Sequence, residues 1–369
     1  MPCLNEEKTV ALCVKKAKEV LRKAKMTGEV VVADNGSTDN SVRLAKKAGA
    51  KVILEKRRGY GSAYLAGIKA ARGDWLVIGD SDGTYDFSEI PRLLKPLNSG
   101  YDLVIGSRIK GRIRKEAMPF LNRYLGTPLL NFFLRLFYQI KVSDSQSGMR
   151  AFSRTAFDKL RLRTLGMEFA SEMLVRSSQE GLKIIEVPIN YLPRLAPTKL
   201  SRFRDAWHHL RFMLLFAPTW LFLIPGVFLL ALGLLGELLI YFGHFELFGH
   251  LFDVHAMVLA SFLVLLGYQI IMLGIYAKVF ALVIGLTKVG SIITTTLHYF
   301  KLEKGILVGL LISFVGLIIG LIYIVGWVEQ GFGPLYAFKP AVLSLTLLVL
   351  GIQIIFSSFF LSLLGVEKR

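Results

Sequence analysis

The sequence is poor in the residues that build metal clusters and disulfide frameworks. Its 369 residues include two cysteines and six histidines. Cys3 and Cys13 offer neither paired metal-ligand spacing nor a disulfide ladder, which allows a reducing compartment without requiring one. An apolar leader core is missing too, because the first 20 residues carry Glu6, Glu7 and several lysines. The chain holds 27 acidic residues against 45 basic ones, for a net charge of +18. Despite that charge, it shows no helix-turn-helix, zinc-finger or aromatic RNA-binding signature, which argues against nucleic acid as the partner. Basic residues facing lipid headgroups and phosphate ligands fit better.

Charge of either sign nearly vanishes in the C-terminal part. From Met213 onward there are seven Lys/Arg and six Asp/Glu, and the mean hydropathy of the whole chain is +0.51. This composition predicts a cytosolic domain over residues 1–199, an interfacial helix over 200–217 and a membrane domain over 218–369. Crossing a bilayer takes about 20 apolar residues. Four runs qualify: 219–242, 256–277, 305–328 and 341–365. The loop after the first run has no Lys or Arg, whereas Lys278–Lys304 has four and the chain ends Glu367-Lys368-Arg369. The positive-inside rule then puts the N-terminal domain, the middle loop and the C-terminus in the cytoplasm. The chain is expected to be a multi-pass integral membrane protein, in the cell membrane if the host is prokaryotic. Glu237, inside the first run, is either a functional intramembrane carboxylate or a group reaching the interface. Leu200–Phe216 has apolar residues at helical spacing and a basic remainder, the pattern of a helix lying on a membrane.

The N-terminal part alternates strand-like and helical patterns. Glu29–Asp34, Lys51–Glu55, Asp74–Asp80 and Tyr101–Ser107 read as strands, and the segments between them read as helices. That order implies an α/β, Rossmann-like fold with a mostly parallel sheet. Ligands bind such sheets at the carboxyl ends of the strands. Three polar clusters sit there: Asp34–Asp39, Asp80-Ser81-Asp82 and Gly106-Ser107-Arg108. Two carboxylates two residues apart at a turn suit Mg²⁺ or Mn²⁺, which take a carboxylate or two plus substrate phosphates. A calcium loop counted from Asp80 fails, because its sixth position is Tyr85 and its twelfth is Pro91. Asp82 alone reads equally as a cap or turn residue.

The ordered segments Pro2–Glu7, Val31–Ser41, Arg58–Trp75, "GDSDGTYD", "GSR" and "SDSQSGMRAF" resemble family 2 glycosyltransferases of the A-type fold. The resemblance covers about residues 1–200 and is nearest to polyprenyl-phosphate glycosyltransferases, the dolichyl-phosphate mannose synthases and their glucosyl relatives. The multi-span members of that group match the four runs and carry two interfacial helices. The resemblance implies a metal-dependent hexosyltransferase of protein glycosylation. It would move mannose or glucose, with inversion, from GDP-mannose or UDP-glucose to a polyprenyl (dolichyl) phosphate.

The resemblance also assigns roles to residues. Pro2, Asn5, Glu7 and Asp34 would hold the nucleoside, with Asp39 supporting that loop. Asp80 would lie near ribose and metal, and Asp82 would ligate the metal. Thr84 stands where many relatives carry a glutamine, the third metal contact. Arg194 and Lys199 would clamp the diphosphate, with Thr198 in place of the usual serine. Arg108, Arg123 and Thr127 would grip the lipid phosphate, Arg123 and Thr127 from one helix face. Asp144, Gln146 and Arg150 match the family's D-x-x-S-G-F-R stretch, with Met149 in place of the usual Phe, and either Glu168 or Glu172 would face the sugar. A processive polysaccharide synthase is the alternative, but its Q-x-x-R-W motif is missing: Trp207 is followed by two histidines, and Gln146 by Ser-Gly-Met-Arg. A transporter with a regulatory soluble domain is poorer still, since four spans with one carboxylate make a weak pathway. In the family the resemblance points to, about five apolar residues precede the proline, so either a start upstream of Met1 or a truncated form is expected. Oligomeric state is open, as related enzymes pack as tetramers or act alone.

Overall fold

The computed structural model describes residues 1–195, 202–243, 245–247, 250–283, 302–334 and 337–365. The chain falls into two compact units, Met1–Phe216 and Ala217–Arg369.

In the first unit, β1 (Pro2–Cys3), β2 (Val31–Asp34) and β3 (Lys51–Leu54) form one parallel sheet in that order. β4 (Trp75–Ile78), β5 (Leu103–Ile113), β6 (Arg150–Ser153) and β7 (Ile184–Tyr191) form a second, ordered β4-β6-β5-β7. Within it only β6 runs against its neighbours. Three of the five strand pairings in the two sheets are parallel, so the unit is mostly parallel, as expected. The "SGMRAF" segment adds a strand between β4 and β5, where the sequence showed only a motif.

Both faces of the second sheet are covered. Leu103, Ile105 and Phe152 enter one apolar cluster, while Val104 and Ala151, one residue along, enter the other. That double burial explains why β4 and the start of β5 read as unbroken apolar runs. The covering helices carry matching stripes. α1 (Val10–Lys23) buries Val10, Cys13, Val14 and Ala17 at helical spacing, and α4 (Ile90–Asn98) buries Ile90, Leu93, Leu94 and Leu97. α2 (Ser41–Lys47) and α3 (Tyr60–Ala70) lead out of the β2 and β3 ends. α5 (Thr127–Tyr138), α6 (Arg154–Leu160) and α7 (Phe169–Gln179) follow. Phe152 is fully buried, and its truncation to Ala would cost about 3–5 kcal/mol.

β5 runs six residues past its expected end. After a register shift beyond Ser107 it pairs again, with Asn190 and Tyr191. α8 (Arg202–Leu215) occupies most of the expected interfacial segment. It buries His209, Phe212 and Met213 in the first unit and exposes Trp207 and Leu215.

In the second unit, four helices are long and apolar enough to cross a membrane: Thr219–Phe242, Val254–Leu282, Leu302–Glu329 and Phe338–Leu364. They contain α9 (Ile224–Phe242), α10 (Val254–Val283), α11 (Leu302–Glu329) and α12 (Phe338–Gly365). A short hairpin of β8 (Phe245–Leu247) and β9 (His250–Phe252) joins α9 to α10. The helices turn Leu and Phe outward and bury small residues. A Cβ on Gly233 or Gly267 would collide with the facing helix backbone, as would one on Gly309 or Gly316. Glu237 is buried at 3% exposure and accepts a hydrogen bond from Thr346 at 2.7 Å. Thr346 also lies 2.6 Å from Ser261, so one polar contact links α9, α10 and α12. Glu237 is thus packed among the helices of this unit.

Candidate active site

The polar clusters gather where β1, β2, β4 and β5 end. After β2, Asp34 Oδ2 accepts the N–H groups of Gly36 and Ser37, both at 3.0 Å. Its Oδ1 is buried and has no hydrogen-bond partner among the described residues. An unmade bond on a buried acceptor costs about 1–3 kcal/mol, which a ligand's donor would recover. Asn5, at φ 52°, accepts from Thr38 N–H at 2.7 Å and donates its own N–H to Ser37 Oγ at 2.8 Å. Glu7 accepts from Asn40 N–H at 3.2 Å and donates its N–H to Asp39 at 3.1 Å. The Pro2 carbonyl takes the Ser81 hydroxyl at 2.6 Å. Pro2, Asn5, Glu7, Asp34 and Asp39 are therefore one knit loop pair, with Asp34 offering the spare oxygen.

After β4 the chain turns through Asp80–Thr84. Asp82 is 8% exposed, and its Oδ1 accepts from Thr84 N–H at 3.0 Å and Thr84 Oγ1 at 2.6 Å. The Thr84 hydroxyl is thereby committed as a donor that orients Asp82. Asp82 Oδ2 faces the Arg194 guanidinium, with Nε at 3.5 Å. Arg194 Nη2 also donates to Glu6 Oε1 at 2.8 Å. Asp80 Oδ1 accepts two phenols, from Tyr60 and Tyr64, each at 2.9 Å. Burial first, and then the Asp82 charge, push the Asp80 carboxyl up to about 6, against the opposing effect of the phenols. Burial and the Asp80 charge in turn push both phenols well above the ordinary tyrosine range. Lys199 and Thr198 lie outside the described residues.

The donor set fits a hard divalent cation. It consists of two carboxylates at one turn, and a guanidinium stands at 3.5 Å from Asp82 as a positive stand-in. Among the described residues no group of three His, Cys, Asp or Glu side chains could hold a metal alone. The remaining ligands would have to come from substrate oxygens.

The arginine side is built differently. Arg108 is 8% exposed and forks onto Asp144, with Nε–Oδ2 and Nη2–Oδ1 both 2.8 Å. Its guanidinium also lies 5.0 Å above the Tyr191 ring. Asp144 is fully buried, and its loop is pinned by Glu186, which accepts Ser143 N–H at 2.8 Å and Asp144 N–H at 3.0 Å. Arg150 donates to the carbonyls of Ser147, Ala170 and Ser145 at 3.0, 2.8 and 2.7 Å. Gln146 is half-buried and donates to Ser145 Oγ at 3.1 Å. Glu172 is buried and holds the Arg163–Thr164 turn through two backbone N–H groups and the Thr164 hydroxyl. Glu168, at the head of α7, stays half-exposed. Arg123 is exposed in a π-turn at Asn122–Gly126, 5.3 Å over the Tyr124 ring, whereas Thr127 is 5% exposed at the start of α5. The two residues expected on one helix face thus differ in exposure, Arg123 open and Thr127 buried.

Sequence reasoning missed Tyr60, Tyr64, Asn35 and Glu186. The tyrosines stand four apart on the helix after a glycine-rich turn, a signal that was open to reading. Asn35 ties β2 to the next loop, donating to Glu55 and Arg57 carbonyls and accepting from Gly59 N–H. Glu186 meets its loop across 43 residues, and nothing local signals that contact.

The chain is similar to known proteins in both of its parts. Residues 1–161 match Glycosyl transferase family 2, and residues 275–365 match the Glycosyltransferase family 2 C-terminal transmembrane region. A Haloferax volcanii protein named low-salt glycan biosynthesis hexosyltransferase Agl6 is 40% identical over 367 residues, covering 99% of this chain and 88% of the relative. A second protein from that organism, named dolichyl-phosphate hexose transferase, is 38% identical over 176 residues, covering 47% of this chain and 75% of the relative. Among solved structures, glucosyl-3-phosphoglycerate synthase from Mycobacterium tuberculosis with Mn²⁺, UDP and glucosyl-3-phosphoglycerate aligns at a TM-score of 0.46 and 24% identity, over 58% of this chain and 76% of that one.

Proposed function

The chain belongs to glycosyltransferase family 2, and we propose that within it the protein moves a hexose from a nucleotide-sugar to a polyprenyl phosphate at the cytoplasmic membrane face, inverting the anomeric centre. Mannose from GDP-mannose or glucose from UDP-glucose is the donor sugar in this reading, and a dolichyl-type phosphate is the acceptor. The observation that carries it is the Asp80/Asp82 turn, two carboxylates two residues apart with Asp82 facing the Arg194 guanidinium at 3.5 Å, in a chain that also carries four apolar helices of spanning length. The name of the 38%-identical relative supports a lipid-phosphate acceptor.

Asp80 and Asp82 would hold Mg²⁺ or Mn²⁺, and the ion, when bound, would supply positive charge against the diphosphate leaving group. Asn5, Asp34 and the loop around them would hold the nucleoside, with the spare Asp34 oxygen taking a donor from it. Arg194 would leave Asp82 and Glu6 for the diphosphate, joined by Lys199, and stabilise the charge that grows as the glycosidic bond breaks. A phosphate monoester has its second pKa near 6 and is mostly dianionic at neutral pH, so no general base is needed. Arg108 is already forked onto Asp144, so the acceptor phosphate falls chiefly to Arg123, which aims an oxygen at the anomeric carbon. The lipid would lie along exposed Phe120, Leu121, Tyr124 and Leu125, beside Arg123.

The test incubates detergent-purified protein with Mn²⁺ or Mg²⁺, a short polyprenyl phosphate and labelled UDP- and GDP-sugars, followed by lipid extraction. Label in a mild-acid-labile lipid is expected, and Asp82→Asn should lower it by about 10²–10³-fold. No lipid label from any donor would overturn the reading.

A further inference from the structure

Asp80 receives both of its phenols on a single oxygen. Tyr60 and Tyr64 lie one turn apart on α3, and each donates to Oδ1 at 2.9 Å. Ring packing fixes both side chains independently of their hydroxyls: they meet edge-on at 4.8 Å, and Tyr64 stacks on Phe169 at 5.4 Å. The other oxygen, Oδ2, borders a space that Gly148 keeps clear. A Cβ on Gly148 would lie 3.0 Å from Oδ2 and 2.9 Å from the Tyr60 hydroxyl. Gly148 is itself held, because its N–H donates to the Tyr85 hydroxyl at 2.7 Å. Two donors on one oxygen resist rotation of the carboxylate and leave the second oxygen as the one available to a ligand.

We propose that Tyr60 and Tyr64 are positioning residues for the cation, fixing Asp80 so that Oδ2 is the oxygen offered to a divalent metal and Gly148 keeps its approach open. The inference rests on the assignment of Asp80 to cation binding made above. A purely structural role, in which the tyrosines only brace α3 against the β4 end, would leave metal affinity untouched when the hydroxyls are removed and the rings kept.

The full chain in detergent would be titrated with Mn²⁺ alone, then with UDP and with GDP present, and free Mn²⁺ read by electron paramagnetic resonance. Tyr60→Phe/Tyr64→Phe is expected to weaken Mn²⁺ binding by about 10–100-fold, the usual scale for losing the partners of a metal ligand, and to lower the thermal midpoint as the two hydrogen bonds to Asp80 are lost. In an Asp80→Asn background the same two substitutions should add nothing, as expected of groups that act through Asp80. Gly148→Ala is the second probe: it keeps both phenols but fills the space beside Oδ2, and it should also weaken Mn²⁺. Undiminished Mn²⁺ binding in the double Phe variant, or in Gly148→Ala should the double variant not fold, overturns the clamp and leaves the Asp80 assignment standing. A parent protein that binds no Mn²⁺ in any of the three titrations overturns that assignment and the clamp with it.

Discussion

Two groups of charged residues border the same strand ends and differ in what they leave unused. On the carboxylate side, Asp34 keeps a buried oxygen without a partner among the described residues, and Asp82 keeps one facing only a guanidinium at 3.5 Å. On the arginine side, Arg108 spends its fork on Asp144, and Arg150 spends its donors on three carbonyls. Both sides come from short polar motifs at strand ends. The difference lies in what the interior already satisfies. A group left with an open valence is poised for a ligand, whereas a saturated one holds the shape that presents it.

The largest expected effect sharpens that contrast. Asp144→Asn leaves Arg108 buried with a weakened partner and should destabilise the first unit by about 3–5 kcal/mol. Asp34→Asn keeps an oxygen for Gly36 and Ser37 and disturbs only the spare position, so its cost in stability should stay at or below about 1 kcal/mol. Its nucleotide affinity should nonetheless fall. Denaturant unfolding and nucleotide titration of the two variants measure both quantities. Equal stability losses would erase the distinction between open and saturated carboxylates.

A smaller effect concerns His209 on α8, which belongs to the saturated class. It is 4% exposed, and its Nδ1 lies 2.9 Å from Ser171 Oγ. Burial, then the charges of Arg150 and His208, lower its pKa from 6.5 to about 4. Between those values the unfolded chain takes a proton that the folded one refuses. Stability contributed by neutral His209 is therefore full above pH 6.5 and is lost as pH falls toward 4, by up to about 3 kcal/mol. His209→Gln should flatten that part of the thermal-midpoint profile. An unchanged slope would place the acid sensitivity elsewhere.

Much of this was readable from the chain, for reasons that separate by range. Strand ends, the Asp-x-Asp turn and the four spans follow from patterns within a few residues of each other, which is where periodicity and length act. β6 was not legible as a strand because its six-residue motif is polar at one end and it pairs across more than 40 residues with β5. The commitment of Arg108 to Asp144 was hidden because the two lie 36 residues apart. The hydrogen bond that Glu237 accepts was hidden because its donor, Thr346, lies 109 residues on. Residue type was legible throughout, but whether a group was already satisfied depended on contacts that only the fold brings together.

The smallest effect tests an arginine that stays exposed. Arg123 is exposed in the π-turn, with Phe120 at 73%, Tyr124 at 58% and Leu125 at 60% exposure around it. It makes a ring contact at 5.3 Å with Tyr124, and burial contributes nothing to its hold. Arg123→Ala should therefore shift the unfolding midpoint by no more than about 0.5 kcal/mol, as for other exposed positions. If the guanidinium meets the acceptor phosphate, the same variant should raise the KM for polyprenyl phosphate about tenfold, equal to about 1.4 kcal/mol of binding. The KM for the nucleotide-sugar should not move, because that ligand belongs to the carboxylate side. Arg123→Lys should recover part of the loss, since a point charge replaces the fork without its two-point geometry. A rise in both KM values would mean that Arg123 acts on the whole site through the fold and not through the lipid phosphate, and the division between the two sides would then have to be redrawn around Arg108.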